Sequence, residues 1–239
     1  MNLRASPLVL SASLCLLPHL AAQIAPQPRA DTTAASAPPP QIYGKIEGDY
    51  YTSPTGIYKI RIPVLPQLGG SIQDTPNVAT FDDDFSTHLS IGAFPLSREL
   101  KWEYETRGAR DFLVFFFTNY VMPDFAARFP GSKLEDNGGF LPKFQDGSLL
   151  LFTLLPGGSF FAQRVALGSA MEPLVAKRGN LCFVKYNYVF VVSTELAERV
   201  LEHSTYHKTI DEENNTLKQQ LLDVVGRMQF NAPPPEPKN

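Results

Sequence analysis

The stretch "GSLLLFTLLPGG" most constrains what this chain can fold into, because Leu149 to Leu155 is apolar almost without interruption. A run this short, bounded by glycines, reads as a strand, and an unbroken apolar strand is one covered on both faces. It therefore predicts a layered domain, with helices on at least one side of a sheet and a second layer on the other. Downstream, "NLCFVKYNYVFVV" alternates on either side of Lys185 to Tyr188, which predicts a hairpin with Asn187 in its turn.

"GDYYTSPTGIYKIRIP" predicts an earlier hairpin around Ser53 to Gly56, with Tyr58, Ile60 and Ile62 on one face and Lys59 and Arg61 on the other. The adjacent Tyr50 and Tyr51 must face opposite sides of their strand. Val78–Phe81 and His88–Phe94 read as two more strands around the triplet Asp82, Asp83 and Asp84. This triplet reads as a water-facing bend, with Phe81 and Phe85 turned inward.

"ARDFLVFFFTNYVMPDFAARF", from Ala109 to Phe129, is too long for an ordinary strand. It reads as a helix buried on more than one side and broken near Met122 by Pro123. A buried strand over "FLVFFF" followed by a helix from Pro123 is the alternative. Near the end, Thr209 and Glu212 have capping-box spacing, and Leu217, Leu221, Val224 and Met228 form a helical stripe. The pattern is α+β: a mainly antiparallel sheet packed by helices, an α/β/α sandwich in a single domain over 43–230.

With these elements in place, the chain resembles the Mog1/PsbP-like group of α/β sandwiches. The likeness rests on "YYTSPTGIYKIRIP" with its strand-ending proline, on "VATFDDD", and on the late hairpin and the helix ending in "MQF". Ile57 stands where that group usually carries an aromatic residue. The resemblance implies the fold and a binding or assembly role; members attach to photosynthetic complexes or to transport GTPases and share no catalytic site. No functional residue is transferred by position.

At the start, Arg4 precedes the apolar run Leu8 to Leu17 and then "PHLAAQ", the order of a secretory signal peptide over 1–22 with cleavage after Ala22. The run is about half the roughly 20 residues that span a bilayer, so it predicts no transmembrane segment in the mature chain. Leu14, before Cys15, does not suit lipoprotein processing. The Pro- and Ala-rich segment 23–42 and the tail 231–239 lack the apolar surface to offset their ordering entropy and read as disordered. Export to the periplasm or the extracellular space follows. With 21 basic residues against 24 acidic ones and no basic stripe, nucleic acid is not an expected partner.

Several side chains bear on chemistry. His203 and His207 have the spacing of two imidazoles on one helix face, but Ser204 replaces the glutamate of a zinc-protease motif. A metal-dependent or other hydrolase would need His88, His203 or His207 beside Asp82 and Asp84. "DDDFSTH" lacks the mid-loop glycine and closing glutamate of a calcium loop. "PGGSF" sets Ser159 after two glycines without a nucleophile elbow, and no phosphate-loop spacing occurs. Cys182, the one cysteine left after export, reads as core packing. No catalytic, cofactor-binding or metal residue is assigned and no cofactor is expected. The leading expectation is a non-enzymatic domain that engages a protein or an envelope component.

Overall fold

Two antiparallel sheets carry the fold. The computed structural model describes residues 42–162, 174–202 and 205–232, so the segment read as a signal peptide, the rest of the chain up to 41, His203 and the tail from 233 lie outside the described residues. The larger sheet has seven strands in the order β4-β5-β6-β10-β9-β8-β7, comprising Ser71–Asp74, Val78–Asp82, His88–Pro95, Lys133–Leu141, Ser148–Pro156, Val175–Lys185 and Tyr188–Glu195 for β4 to β10. The smaller has four, in the order β1-β2-β3-β11: Lys45–Glu47, Tyr50–Thr52, Tyr58–Arg61 and Gln229–Phe230. Every strand pair among the described residues is antiparallel.

β8 is covered on both faces, as its composition predicts. Leu150 and Phe152 enter one hydrophobic core, while Leu149 and Leu151 enter another on the opposite face. β9 and β10 form the expected hairpin. Its two turn residues, Tyr186 and Asn187, have φ of 51° and 62°, the left-handed pair that a two-residue turn with the native strand twist requires.

Helices form the layer over Leu149, Leu151, Cys182 and Val191: α1 (Arg98–Arg107), α2 (Ala109–Phe116), a π turn over Phe117–Val121, and α3 (Met122–Arg128). "FLVFFF" is thus helical. It buries Phe112, Leu113, Phe116 and Phe117 on one broad face, whereas Val114 is 44% exposed, so the helix is not enclosed all round. Pro123 does not end it. The proline sits in the first turn of α3, where a missing N–H is tolerated, and the π turn before it takes up the change in hydrogen-bond register.

The opposite face is covered by two elements side by side. α5 (Ile210–Arg227) opens on the predicted capping box and buries Leu217, Leu221 and Val225. Gly179 of β9 lets it approach closely, since a Cβ there would stand 3.0 Å from Leu217 Cβ. Beside α5 the small sheet inserts Tyr51, Tyr58 and Ile60 into the same core, with Tyr51 edge-on to Phe81 at 5.5 Å. One outer layer of the sandwich is therefore helical and the other combines a helix with a sheet.

This second face also holds a buried ionic network. Lys177, with no exposed surface, lies 2.9 Å from Glu213 and 2.8 Å from Glu135. Glu213 also accepts from Arg199, of the short helix α4 (Ala197–Leu201), and from Tyr206. Burial acts to raise the Glu213 carboxyl, but the bonds from Lys177, Arg199 and Tyr206 outweigh it and hold it below the ordinary carboxylate range. Among the described residues no helix is long and apolar enough to cross a membrane.

Candidate functional site

The helical layer is narrower than the sheet beneath it. α2 packs on β8 and β9, which leaves part of the same sheet face, over β5, β6 and the end of β10, as the floor of an open groove of about 730 Å³. Strand alternation selects this floor: His88, Ser90 and Gly92 of β6 face the groove, while Leu89, Ile91 and Ala93 enter the core behind it. Thr80 of β5 and Ser193 of β10 extend the floor. One wall is edge strand β4 with Gln73; the other is the π turn and α3, with Tyr120, Asp124 and Arg128.

Along β8, β9 and β10 this face changes from apolar to polar as it leaves the cover of α2. Leu149, Cys182 and Val189 are packed under the helix. Further along, buried Asn180 donates to Thr153 Oγ1 at 3.2 Å and accepts from Ser193 Oγ at 2.7 Å, which satisfies polar atoms that burial would otherwise penalise. Beyond them the strands bring four ionisable side chains to the polar end: Asp82 of β5 is paired with His88 of β6, and Glu195 of β10 with Arg178 of β9.

The geometry of this end is specific. Asp82 Oδ1 lies 2.5 Å from His88 Nδ1, and both residues are buried. The imidazole stacks on Phe160 with ring centroids 5.1 Å apart, and its Nε2 is buried with no hydrogen-bond partner. Glu195 holds the loop that carries Phe160: it accepts from Ser159 Oγ at 2.5 Å, from Phe160 N at 3.1 Å and from Arg178 Nη2 at 3.4 Å. Arg178 Nη2 also donates to Gly158 O at 3.0 Å, whereas Arg178 Nε is buried and unpartnered. Burial pushes the guanidinium below its ordinary value; Glu195 and Asp82 oppose this, and Arg128 adds to it. It remains a cation at neutral pH.

The aspartate triplet departs from the water-facing bend that its composition suggested. Asp82 and Asp83 are buried, and only Asp84 is exposed. Asp82 is drawn in by its pairing with His88. Asp83 Oδ1 caps the turn by accepting from the backbone N–H groups of Phe85, Ser86 and Thr87 at 2.8 to 2.9 Å. Burial acts to raise its carboxyl, but the Thr87 side-chain hydrogen bond together with these backbone bonds prevails and holds it below the usual range. Phe85, expected to face inward, is 58% exposed because it lies in the tight turn rather than on a strand.

Of the hydrolase candidates the fold joins Asp82 to His88. Asp84 lies in the exposed turn against Gly69, His207 is exposed between α4 and α5, and His203 falls outside the described residues. Among the described residues no three His, Cys, Asp or Glu side chains gather as a metal site. Ser159 accepts from Phe161 N and donates to Glu195, which makes it a loop anchor. Cys182 is fully buried in the apolar core, which pushes its thiol up and leaves no reactive thiolate. Tyr51 is buried and Tyr50 exposed, as adjacent strand positions require. Arg178, Glu195 and Asn180 were not singled out from sequence. Their signal was weak, because Arg178 and Asn180 stand in the polar stretch 177–180 of β9 and Glu195 ends the polar stretch 193–195 of β10.

No family model matches the sequence, and no curated protein does. Among solved structures the chain is similar to the Saccharomyces cerevisiae Ran-binding protein Mog1p at 7% identity, covering 78% of this chain and 95% of that one with a TM-score of 0.44. It is also similar to PsbP (CyanoP) from Synechocystis sp. PCC 6803, at 13% identity over 83% and 99% of the two chains with a TM-score of 0.40. A protein from Bacteroides thetaiotaomicron VPI-5482 matches at 9% identity over 78% of this chain, with a TM-score of 0.38; the chain spans 49% of it, about half its length. The resemblance to the Mog1/PsbP-like group recurs here, as a likeness of fold alone.

Proposed function

We propose that this chain is an exported, non-enzymatic binding domain that engages a protein or an envelope component through the groove between β4 and α3. The observation that carries the reading is the half-covered sheet face: an open groove floored by small polar side chains, ending at two buried nitrogen atoms, His88 Nε2 and Arg178 Nε, that lack partners. Buried polar atoms are ordinarily satisfied, so these two support a binding role for this end of the groove. The Asp82–His88 pair has the form of a base and its orienting carboxylate, yet Phe160 lies on the imidazole and Ser159 is committed to Glu195. That arrangement supports holding a ligand over attacking one. The charged start and short apolar run before Ala22 support export.

Affinity capture from the native envelope fraction, with metal analysis of the purified protein, tests the reading. A Ser90→Trp variant fills the groove floor and serves as the blocked control. The expected result is a specific partner retained by the wild type and lost by the blocked variant at unchanged thermal stability. Capture indifferent to the block, or stoichiometric metal with hydrolytic activity, contradicts it.

A further inference from the structure

Resting on the binding role of the groove, we infer that its ligand is a neutral oligosaccharide, whose hydroxyls meet a row of side chains across the floor and whose C–H face lies on the aromatic wall. Strand register builds the row. Gln73 of β4 stands opposite Thr80 of β5, Thr80 opposite Ser90 of β6, and Ser90 opposite Ser193 of β10. Directly opposed residues share a face of the sheet, so four neutral polar side chains cross the floor side by side, one per strand at about 4.8 Å. The rows to either side differ. Val78, Gly92 and Val191 form an apolar one, while Asp82 and His88 in the other are paired with each other.

Charge and hydrogen bonding decide what the row can take. Apart from His88, the charged groups lining the groove are Asp74, Asp124, Arg128 and Arg178, and each has a partner within the fold. Asp74 accepts from Tyr43 N, Gly44 N and Tyr51 Oη at 2.7 to 2.9 Å, Asp124 lies 3.2 Å from Arg128, and Arg178 lies 3.4 Å from Glu195. The signs of the lining groups balance, so no net field draws a phosphate, a polyanion or a cation. Among the described residues the Thr80 and Ser90 hydroxyls and the Gln73 amide make no hydrogen bond to another residue, and the Ser193 hydroxyl, which donates to Asn180 at 2.7 Å, can still accept. An acyl chain laid on this row would bury those groups without partners. A peptide finds no ladder on it, because the backbone groups of β5, β6 and β10 bond within the sheet and only side chains face the groove. A sugar hydroxyl both donates and accepts, as the serine and threonine hydroxyls do, so each pairs in whichever sense its neighbour leaves.

The wall supplies the apolar half. Tyr120, 53% exposed, lines the groove, and its ring is held against Phe116 and Phe115 with centroids 5.2 Å and 6.1 Å away. Phe125 and Phe129 line the groove on the same side. An exposed ring that is fixed before binding offers apolar area at little cost in side-chain entropy. The C–H groups of a sugar ring cover such a surface while its hydroxyls, set around the ring edge, reach the floor.

The test uses the full mature chain against an array of maltohexaose, cellohexaose, chitohexaose and mannohexaose, with acidic oligogalacturonates and uncharged synthetic peptides in parallel. Neutral sugars should bind with an affinity that stays within about two-fold between roughly 0.05 and 0.5 M salt, a reading on the wild type that needs no variant to fold. Tyr120→Ala should weaken binding about ten-fold or more, with Tyr120→Phe, which keeps the ring, restoring it. Thr80→Val and Ser90→Ala should each lose about five-fold at unchanged melting temperature. Retention of the peptides or of the acidic set in place of neutral sugars, blocked by Ser90→Trp, overturns this inference while leaving the groove as the binding site. Neutral sugars that fail to bind, or that bind indifferently to Tyr120→Ala and Thr80→Val, also overturn it. Envelope capture that ignores Ser90→Trp, by contrast, brings down the underlying reading.

Discussion

Asp83 shows how one side chain sets the conformation of a turn. Its carboxylate receives three consecutive backbone N–H groups and so holds the β5–β6 connection that delivers His88 to Asp82. Because Asp83 is held below its unfolded value, its stabilising effect is complete above the ordinary carboxylate range and is lost as pH falls through that lowered value. Asp83→Asn should lower the melting temperature at pH 7, by an amount corresponding to about 1 to 3 kcal/mol, and flatten the acid limb of a melting-temperature profile. An unchanged acid limb would show that the carboxylate charge plays no part. The triplet was visible in the sequence, and so was its turn chemistry. What sequence could not supply was the pairing of Asp82 with His88, which depends on the strand register, or the burial that follows from it.

Elements buried on one or both faces could be read from pattern, because burial is what writes the pattern. β8, the β9–β10 hairpin and α5 all carried it. α1 buries no residue and so left no periodicity to find. β4 has four residues at an edge, and β7 is interrupted by an irregularity between Glu135 and Gly139, so neither shows a full alternation. Two substitutions test the packing of α5. Leu221→Ala should destabilise by about 2 to 5 kcal/mol in urea unfolding, through lost burial and the cavity left behind. Glu213→Ala removes a partner from fully buried Lys177 and from Arg199, and should cost about 3 to 5 kcal/mol by the same measurement. Since Glu213 is also held low, its contribution should persist at neutral pH and disappear on acidification below the ordinary carboxylate range. A network stable to acid would contradict this account.

For the molecule as a whole, sheet width and helical cover do not match, and the groove is the consequence. The layered architecture was legible because β8 demanded cover on both faces. The groove was not, because it depends on how far α2 and α3 extend across strands that are distant in sequence. Export is a separate whole-chain expectation: the mature protein should begin at Gln23, which N-terminal sequencing of material from the exported fraction reads directly, and a start at Met1 would contradict it. The most direct test of the groove is titration calorimetry of the captured partner against purified wild type and Ser90→Trp. The account predicts at least a ten-fold loss of affinity with unchanged melting temperature; equal affinities for the two proteins would contradict it.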